Sequence, residues 1–219
     1  KHGMTPVGEA SQAAARDATD LIVVTKDPFA SMHSIYRYFR DAGLNIRASK
    51  SWPAFLRSRI VIFDQSNPAS PEYRFQNPVQ LWNDVNWNLH RFRAEGFKTP
   101  HVRYGDLLVD PQATLQGLVS RLRLERKTAG TFELPEKKLR RMDESARTDR
   151  GDYVTHETFD AARYYRDAEY MQHYDADDLA FVLDQVDESL VQDLGYDAAI
   201  EHARALVPGA KRRRRWWRP

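Results

Sequence analysis

The segment Leu21–Pro28, together with Ser34, constrains the fold more strongly than any other part of the chain. It begins with four consecutive apolar residues, three of them β-branched, and such a run predicts a strand that is buried on both faces. Lys26 follows this run, and the Asp-Pro pair behind it favours a turn. Apolar residues then recur with helical spacing at Met32, Ile35, Tyr36 and Phe39. The pattern predicts a strand, a turn and a helix, with a cation at the carboxyl end of the strand.

This arrangement points to an anion-binding position. In open α/β sheets, phosphorylated ligands bind at the carboxyl ends of the strands, where helix N-terminal amides attract negative charge. Lys26 lies at such a strand end, and Ser34 follows it by eight residues, about two turns into the predicted helix. Both are therefore candidate binding residues, although a solvated lysine and a helix-surface serine would give the same pattern.

A second strand and helix start are predicted over His101–Pro111. Val102–Tyr104 has the pattern of a short strand, a loop follows, and Asp110 is placed to cap a helix that has Pro111 in its first turn. That helix is predicted by the spacing of Leu115, Leu118, Val119 and Leu122. Tyr104 lies at the end of the predicted strand, where it either packs in the core or contacts a ligand.

Two further helical regions complete the secondary-structure prediction. A helix is expected from Asn77-Pro78 to Glu95. Near the C-terminus, Asp175 is a predicted N-cap and Gly195 a predicted C-cap. Between them a single apolar stripe predicts a docked helix, and it consists of Leu179, Val182, Leu183, Val186, Leu190 and Leu194.

These segments resemble, in order, the sulfotransferases that use 3′-phosphoadenylyl sulfate (PAPS). The family has a strand ending in Arg-(Asn/Asp)-Pro with a serine eight residues after the arginine, and this chain has Lys26-Asp27-Pro28 and Ser34. The family motif Arg-Tyr-Glu-Asp-Leu corresponds to residues 103–107, with glycine in place of glutamate, and the closing Leu-Gly-Tyr corresponds to residues 194–196. The resemblance covers about residues 1–196.

The resemblance implies an α/β fold, a P-loop-like three-layer domain with a central parallel sheet flanked by helices. It also implies transfer of a sulfuryl group from PAPS to a hydroxyl or amine of a glycan, lipid or small metabolite, without a metal. Lys26 and Ser34 would hold the 3′-phosphate, Tyr104 would contact the adenine, and Arg150 would close over the same phosphate. His2 would be the catalytic base, a role that suits a side chain titrating near neutrality.

One element of the family is not found in the sequence. The loop that cradles the 5′-phosphosulfate, of the type Pro-Lys-Ser-Gly-Thr-Thr, would precede the first strand, and we expect it upstream of Lys1. Two alternatives stay open: an inactive sulfotransferase-like module that binds a polyanion, and a P-loop nucleotide kinase. The kinase is disfavoured because no acidic metal-binding strand end stands out.

Composition and charge divide the chain into a domain over residues 1–208 and a basic tail over residues 209–219. The tail contains six lysines and arginines and no acid, and without these six charges the formal net charge of +2 becomes −4. Such a segment is suited to an anionic polymer or a membrane surface, or it is simply solvated.

The rest of the composition excludes several classes of site. The chain has no cysteine, which excludes disulfides, thiolate metal sites and cysteine nucleophiles. The sequence contains no membrane-spanning apolar run and no visible signal peptide, so a cytoplasmic location is predicted. We predict no metal site, because the histidines show no metal-ligand spacing.

Overall fold

A computed structural model describes residues 22–41, 51–62, 73–94, 99–125, 130 and 160–208. The predicted site residues His2 and Arg150, the predicted tail from residue 209 and the expected phosphosulfate loop lie outside these ranges. Within them the chain is mixed α/β and mostly helical.

The described residues form four short strands, nine α-helices and one 3₁₀-helix. The strands are β1 Val23–Thr25, β2 Ile60–Ile62, β3 Tyr73–Phe75 and β4 His101–Arg103. The α-helices are α1 Pro28–Asp41, α2 Trp52–Leu56, α3 Pro78–Ala94, α4 Tyr104–Val109, α5 Pro111–Leu122, α6 Ala161–Arg166, α7 Ala176–Gln185, α8 Glu188–Asp193 and α9 Asp197–Leu206. The 3₁₀-helix covers Glu169–His173.

The two strands predicted to share a sheet do so. β1 and β4 pair in parallel, with Val23 opposite His101 and Thr25 opposite Arg103, so the carboxyl ends of both strands lie at the same edge. β2 and β3, which the sequence analysis did not predict as a pair, form a separate antiparallel ladder. The parallel sheet of the described residues thus has two strands.

The prediction that β1 is buried on both faces is wrong. Val23 packs against the main core and Thr25 is 6% exposed, but Val24 is 52% exposed and Ile22 is 42% exposed. Successive residues of a strand point to opposite faces, so one face of β1 contacts the core and the other is open. The run of four apolar residues therefore predicts the strand correctly and the burial of its second face incorrectly.

The main core is formed by α1, α3, the 3₁₀-helix and the three C-terminal helices. Its fully buried members include Phe29 and Met32 of α1, Val79 of α3, Val182 of α7 and Leu190 of α8. A smaller cluster joins α2, the antiparallel strands and one face of α3. These contacts hold α1, and with it the end of β1, against the C-terminal third of the chain.

The predicted C-terminal stripe is divided between two helices. α7 ends at Gln185, Val186 is extended, and α8 begins after Asp187. The break occurs because the Asp187 side chain accepts hydrogen bonds from the Ser189 and Leu190 amides and so caps a new helix. Val186 nevertheless stays buried, which keeps the stripe continuous.

The predicted helix caps are confirmed. Asp110 accepts from the Ala113 amide at 2.9 Å, Asp175 accepts from the Asp178 amide at 2.7 Å, and Gly195 follows α8 with a φ of +70°. By contrast, the loop predicted after β4 is the short helix α4. Arg103 stabilises its first turn through an ion pair with Asp106 at 2.6 Å.

Candidate functional site

Lys26 is the first residue after β1, and its backbone is fixed. Its carbonyl oxygen accepts a hydrogen bond from the Trp82 indole at 2.9 Å, which ties the strand end to α3. The Lys26 ammonium donates to Ser34 Oγ at 3.2 Å and lies 4.5 Å from the centroid of the Tyr104 ring. A cation at this distance is attracted to the electron-rich face of an aromatic ring.

Tyr104 reaches Lys26 because of the parallel register. Thr25 pairs with Arg103. The residues that follow the two strands, Lys26 and Tyr104, therefore lie at the same edge of the sheet. The Tyr104 ring packs edge-on against Tyr165 at 5.4 Å. Burial raises the pKa of the Tyr104 hydroxyl, so it stays a neutral phenol.

Three of the five predicted site residues therefore lie together: a cation from a strand end, a hydroxyl from α1 and an aromatic ring from α4. The arrangement supplies one positive charge, hydroxyl donors and a flat surface, which are the groups needed to bind an anionic ligand that carries a ring. Binding of a nucleotide here stays a prediction.

Asp27, beside Lys26, is a buried acid. Its side chain accepts from the Ala30 amide at 3.0 Å and caps α1, and it also bonds to Tyr170. Burial raises its pKa from 3.8 to about 6, although the hydrogen bonds oppose that shift. In the sequence, Asp27 is visible as part of a turn and of the motif Lys26-Asp27-Pro28, and neither pattern indicates its burial.

A group of tyrosines surrounds Asp27 and the Lys26 site. Tyr165 and Tyr170 pack against each other with ring centroids 5.9 Å apart, and Tyr174 donates to the Phe29 carbonyl of α1 at 2.7 Å. Burial raises the pKa of all three hydroxyls. The spacing of these tyrosines was visible in the sequence, but nothing in it indicated that they converge on the end of β1.

A polar contact also joins the two strands on the face that carries Thr25. Thr25 Oγ1 bonds to the Tyr196 hydroxyl at 2.8 Å and to the His101 ring. Burial, reinforced by nearby arginines, lowers the pKa of His101 to about 4, so its imidazole is neutral at physiological pH. Tyr196, part of the predicted closing Leu-Gly-Tyr, thereby connects α9 to the sheet.

The described part of the chain contains no cluster of three or more His, Cys, Asp or Glu side chains suited to a metal ion. Within the same ranges no helix combines the length and the apolar character needed to cross a membrane.

Comparisons with protein-family models, with curated proteins and with solved structures found no match to this chain. The resemblance to the sulfotransferases thus depends on the motifs alone, and its consequences are proposals.

Proposed function

We propose that this protein is a sulfotransferase that uses PAPS. The observation that supports this proposal best is the meeting of Lys26, Ser34 and Tyr104 at the carboxyl edge of a parallel strand pair. Ser34 and Tyr104 follow Lys26 by 8 and by 78 positions in the sequence, and the motif spacing alone predicts all three as site residues.

Each of the three residues has a separate task in the proposed site. The Lys26 ammonium neutralises the 3′-phosphate of the nucleotide, and the Ser34 hydroxyl donates a hydrogen bond to the same group. The Tyr104 ring offers its surface to the adenine. Because Trp82 holds the Lys26 backbone, only the Lys26 side chain has to reorient when the ligand binds, which limits the entropic cost of binding.

The proposed reaction is an in-line transfer. The acceptor oxygen forms a bond to the sulfur while the bond between the sulfur and the bridging phosphate oxygen breaks. The acceptor proton passes to a base, assigned to His2 from the resemblance, and adenosine 3′,5′-bisphosphate leaves. Positioning and electrostatic stabilisation supply the catalysis, as in phosphoryl transfer.

The test is calorimetric titration of the full chain with adenosine 3′,5′-bisphosphate. Lys26→Ala should weaken binding by about 1.5–3 kcal/mol, the usual value of a hydrogen bond to a charged group. Lys26→Arg should retain or strengthen it, because arginine presents a fork of donors to a phosphate. Ser34→Ala should weaken binding by about 1 kcal/mol, whereas Ser120→Ala, at an exposed position on α5, should have no effect.

Two results would count against the proposal in different ways. If the wild type binds and Lys26→Ala binds equally well, the nucleotide occupies another place. If the wild type does not bind the bisphosphate but is retained on heparin, the alternative of a polyanion-binding module with a sulfotransferase-like fold replaces the enzyme.

A further inference from the structure

A cleft of about 710 Å³ lies beside the Lys26 site and is separate from it. Its lining comes from α4, α5, α6, the 3₁₀-helix and α9, and it includes neither Lys26 nor Ser34 nor Tyr104. The two sites share a wall, since Tyr165 lines the cleft and also contacts the Tyr104 ring. The volume is in the range of small-molecule sites, about 300–1,000 Å³.

The floor of the cleft is aromatic and largely buried. Tyr170 and Tyr196 lie there with Asp27, and all three are at least nine-tenths buried. Their polar groups are already satisfied, because Tyr170 bonds to Asp27 and Tyr196 bonds to Thr25. These two tyrosines therefore expose only small parts of their rings to a ligand, whereas Tyr165 is half-buried and presents more ring surface for apolar contact.

The rim of the cleft carries both positively and negatively charged side chains. Arg103 pairs with Asp106 at 2.6 Å and also donates to the Gly195 carbonyl. Asp110 and Arg166 are exposed at the same rim. Opposite charges in such proximity largely cancel, so the rim offers many hydrogen-bond donors and acceptors but little attraction for a multiply charged ligand.

We propose that this cleft binds a neutral, polyhydroxylated ring compound, namely a sugar or a short oligosaccharide. Such a compound has apolar C–H surfaces that match the tyrosine rings, and hydroxyls that both donate to carboxylates and accept from guanidinium groups. The site does not require the nucleotide. The further statement that the sugar is the sulfuryl acceptor rests on the proposed function.

The chain offers a matched pair of variants for the test. Ala198 lines the cleft from α9 and is exposed, so a larger side chain there fills the opening without entering the core. Ala180 is an exposed helical alanine of α7 that does not line the cleft. Ala198→Trp and Ala180→Trp therefore make the same change inside and outside the proposed site.

The experiment is an NMR titration of the full chain with cellotriose, maltotriose and N,N′-diacetylchitobiose. We expect at least one sugar to give saturable shifts at residues that line the cleft, with binding about tenfold weaker in Ala198→Trp and unchanged in Ala180→Trp. Arg166→Ala should weaken binding by roughly threefold to tenfold through the lost hydrogen bond. Circular dichroism shows whether each variant keeps its fold.

Several outcomes would overturn the proposal. These are the absence of saturable shifts with all three sugars up to about 20 mM, equal weakening by both tryptophan variants, or shifts in the cleft caused by the bisphosphate instead. Ala198→Trp should leave binding of the bisphosphate unchanged, because the cleft does not contain the Lys26 site. Failure of the sugar titration and failure of the nucleotide titration can therefore be told apart.

Discussion

Replacement of Asp27 by asparagine should stabilise the protein at neutral pH, although it removes a charge from a helix N-terminus. Asp27 is 6% exposed and its pKa is raised to about 6 by burial. An asparagine keeps an oxygen that accepts from the Ala30 amide, so the cap on α1 is retained. What is lost is a negative charge that the surroundings disfavour.

The size of this stabilisation and its dependence on pH follow from the raised pKa of Asp27. In the folded protein the Asp27 carboxyl binds its proton up to about pH 6, whereas in the unfolded chain it releases the proton near 3.8. The stability of the wild type therefore falls as the pH rises through this window, by about 3 kcal/mol at 1.36 kcal/mol per pKa unit. We expect Asp27→Asn to gain about 1–3 kcal/mol at pH 7, and the gain to vanish below pH ~4.

The assay is urea denaturation of both proteins between pH 4 and pH 7. The difference in the free energy of unfolding between the two proteins at each pH removes the contributions of other titrating groups. One of these is His101, whose lowered pKa makes stability rise with pH over part of the same range. Asp175→Asn is the control, since it makes the same change at an exposed cap and should alter stability by about 0.5 kcal/mol or less. A loss of stability in Asp27→Asn at pH 7, or a difference that does not change with pH, would refute the reasoning.

Three further predictions concern other parts of the fold. Gly195→Ala should destabilise the protein by about 1–2 kcal/mol, because the φ of Gly195 is +70°. Gly117→Ala, which has open space around the new Cβ, should instead stabilise it by about 0.5–1 kcal/mol. Urea denaturation measures both changes in the free energy of unfolding, and equal changes would contradict the backbone argument. Arg57→Ala should cost about 1–3 kcal/mol, because it removes the cation from the nearly inaccessible Asp178 carboxylate; a loss below about 0.5 kcal/mol in the same assay would mean that water replaces the guanidinium. The His101 ring should titrate near pH 4, as a result of its burial, and an NMR midpoint near 6.5 would show that the ring is solvated.

The parts of the fold that were predicted correctly depend on local rules. The caps at Asp110 and Asp175, the glycine after α8 and the strands β1 and β4 each follow from a few neighbouring residues. The parallel pairing of the strands follows from their connection through helices. Because strand ends share one edge of a sheet, even the meeting of Lys26 with Tyr104 was within reach of the sequence.

The parts that were missed depend on contacts between distant segments. Asp27 is buried at the end of β1 and its carboxylate bonds to Tyr170, a residue of the C-terminal third. Thr25 meets Tyr196 across 171 residues, and Tyr174 meets Phe29 across 145. The exposure of one face of β1 also depends on which elements pack nearby, and the sequence of the strand does not predict those elements.

The contact between Lys26 and Tyr104 is weak enough to allow Lys26 to bind a phosphate. A cation–π contact at a partly exposed position contributes about 0.5–1 kcal/mol, whereas a hydrogen bond from a cation to a phosphate contributes about 1.5–3 kcal/mol. The ammonium is therefore expected to turn from the ring to the phosphate when the ligand is present, and the ring surface is then free for the base. Lysine suits this exchange because its charge is compact and its stem is flexible, while an arginine would also stack on the ring. Under the proposed function, Lys26 in place of the sulfotransferase arginine thus fits a site in which the cation contacts the Tyr104 ring until the nucleotide binds.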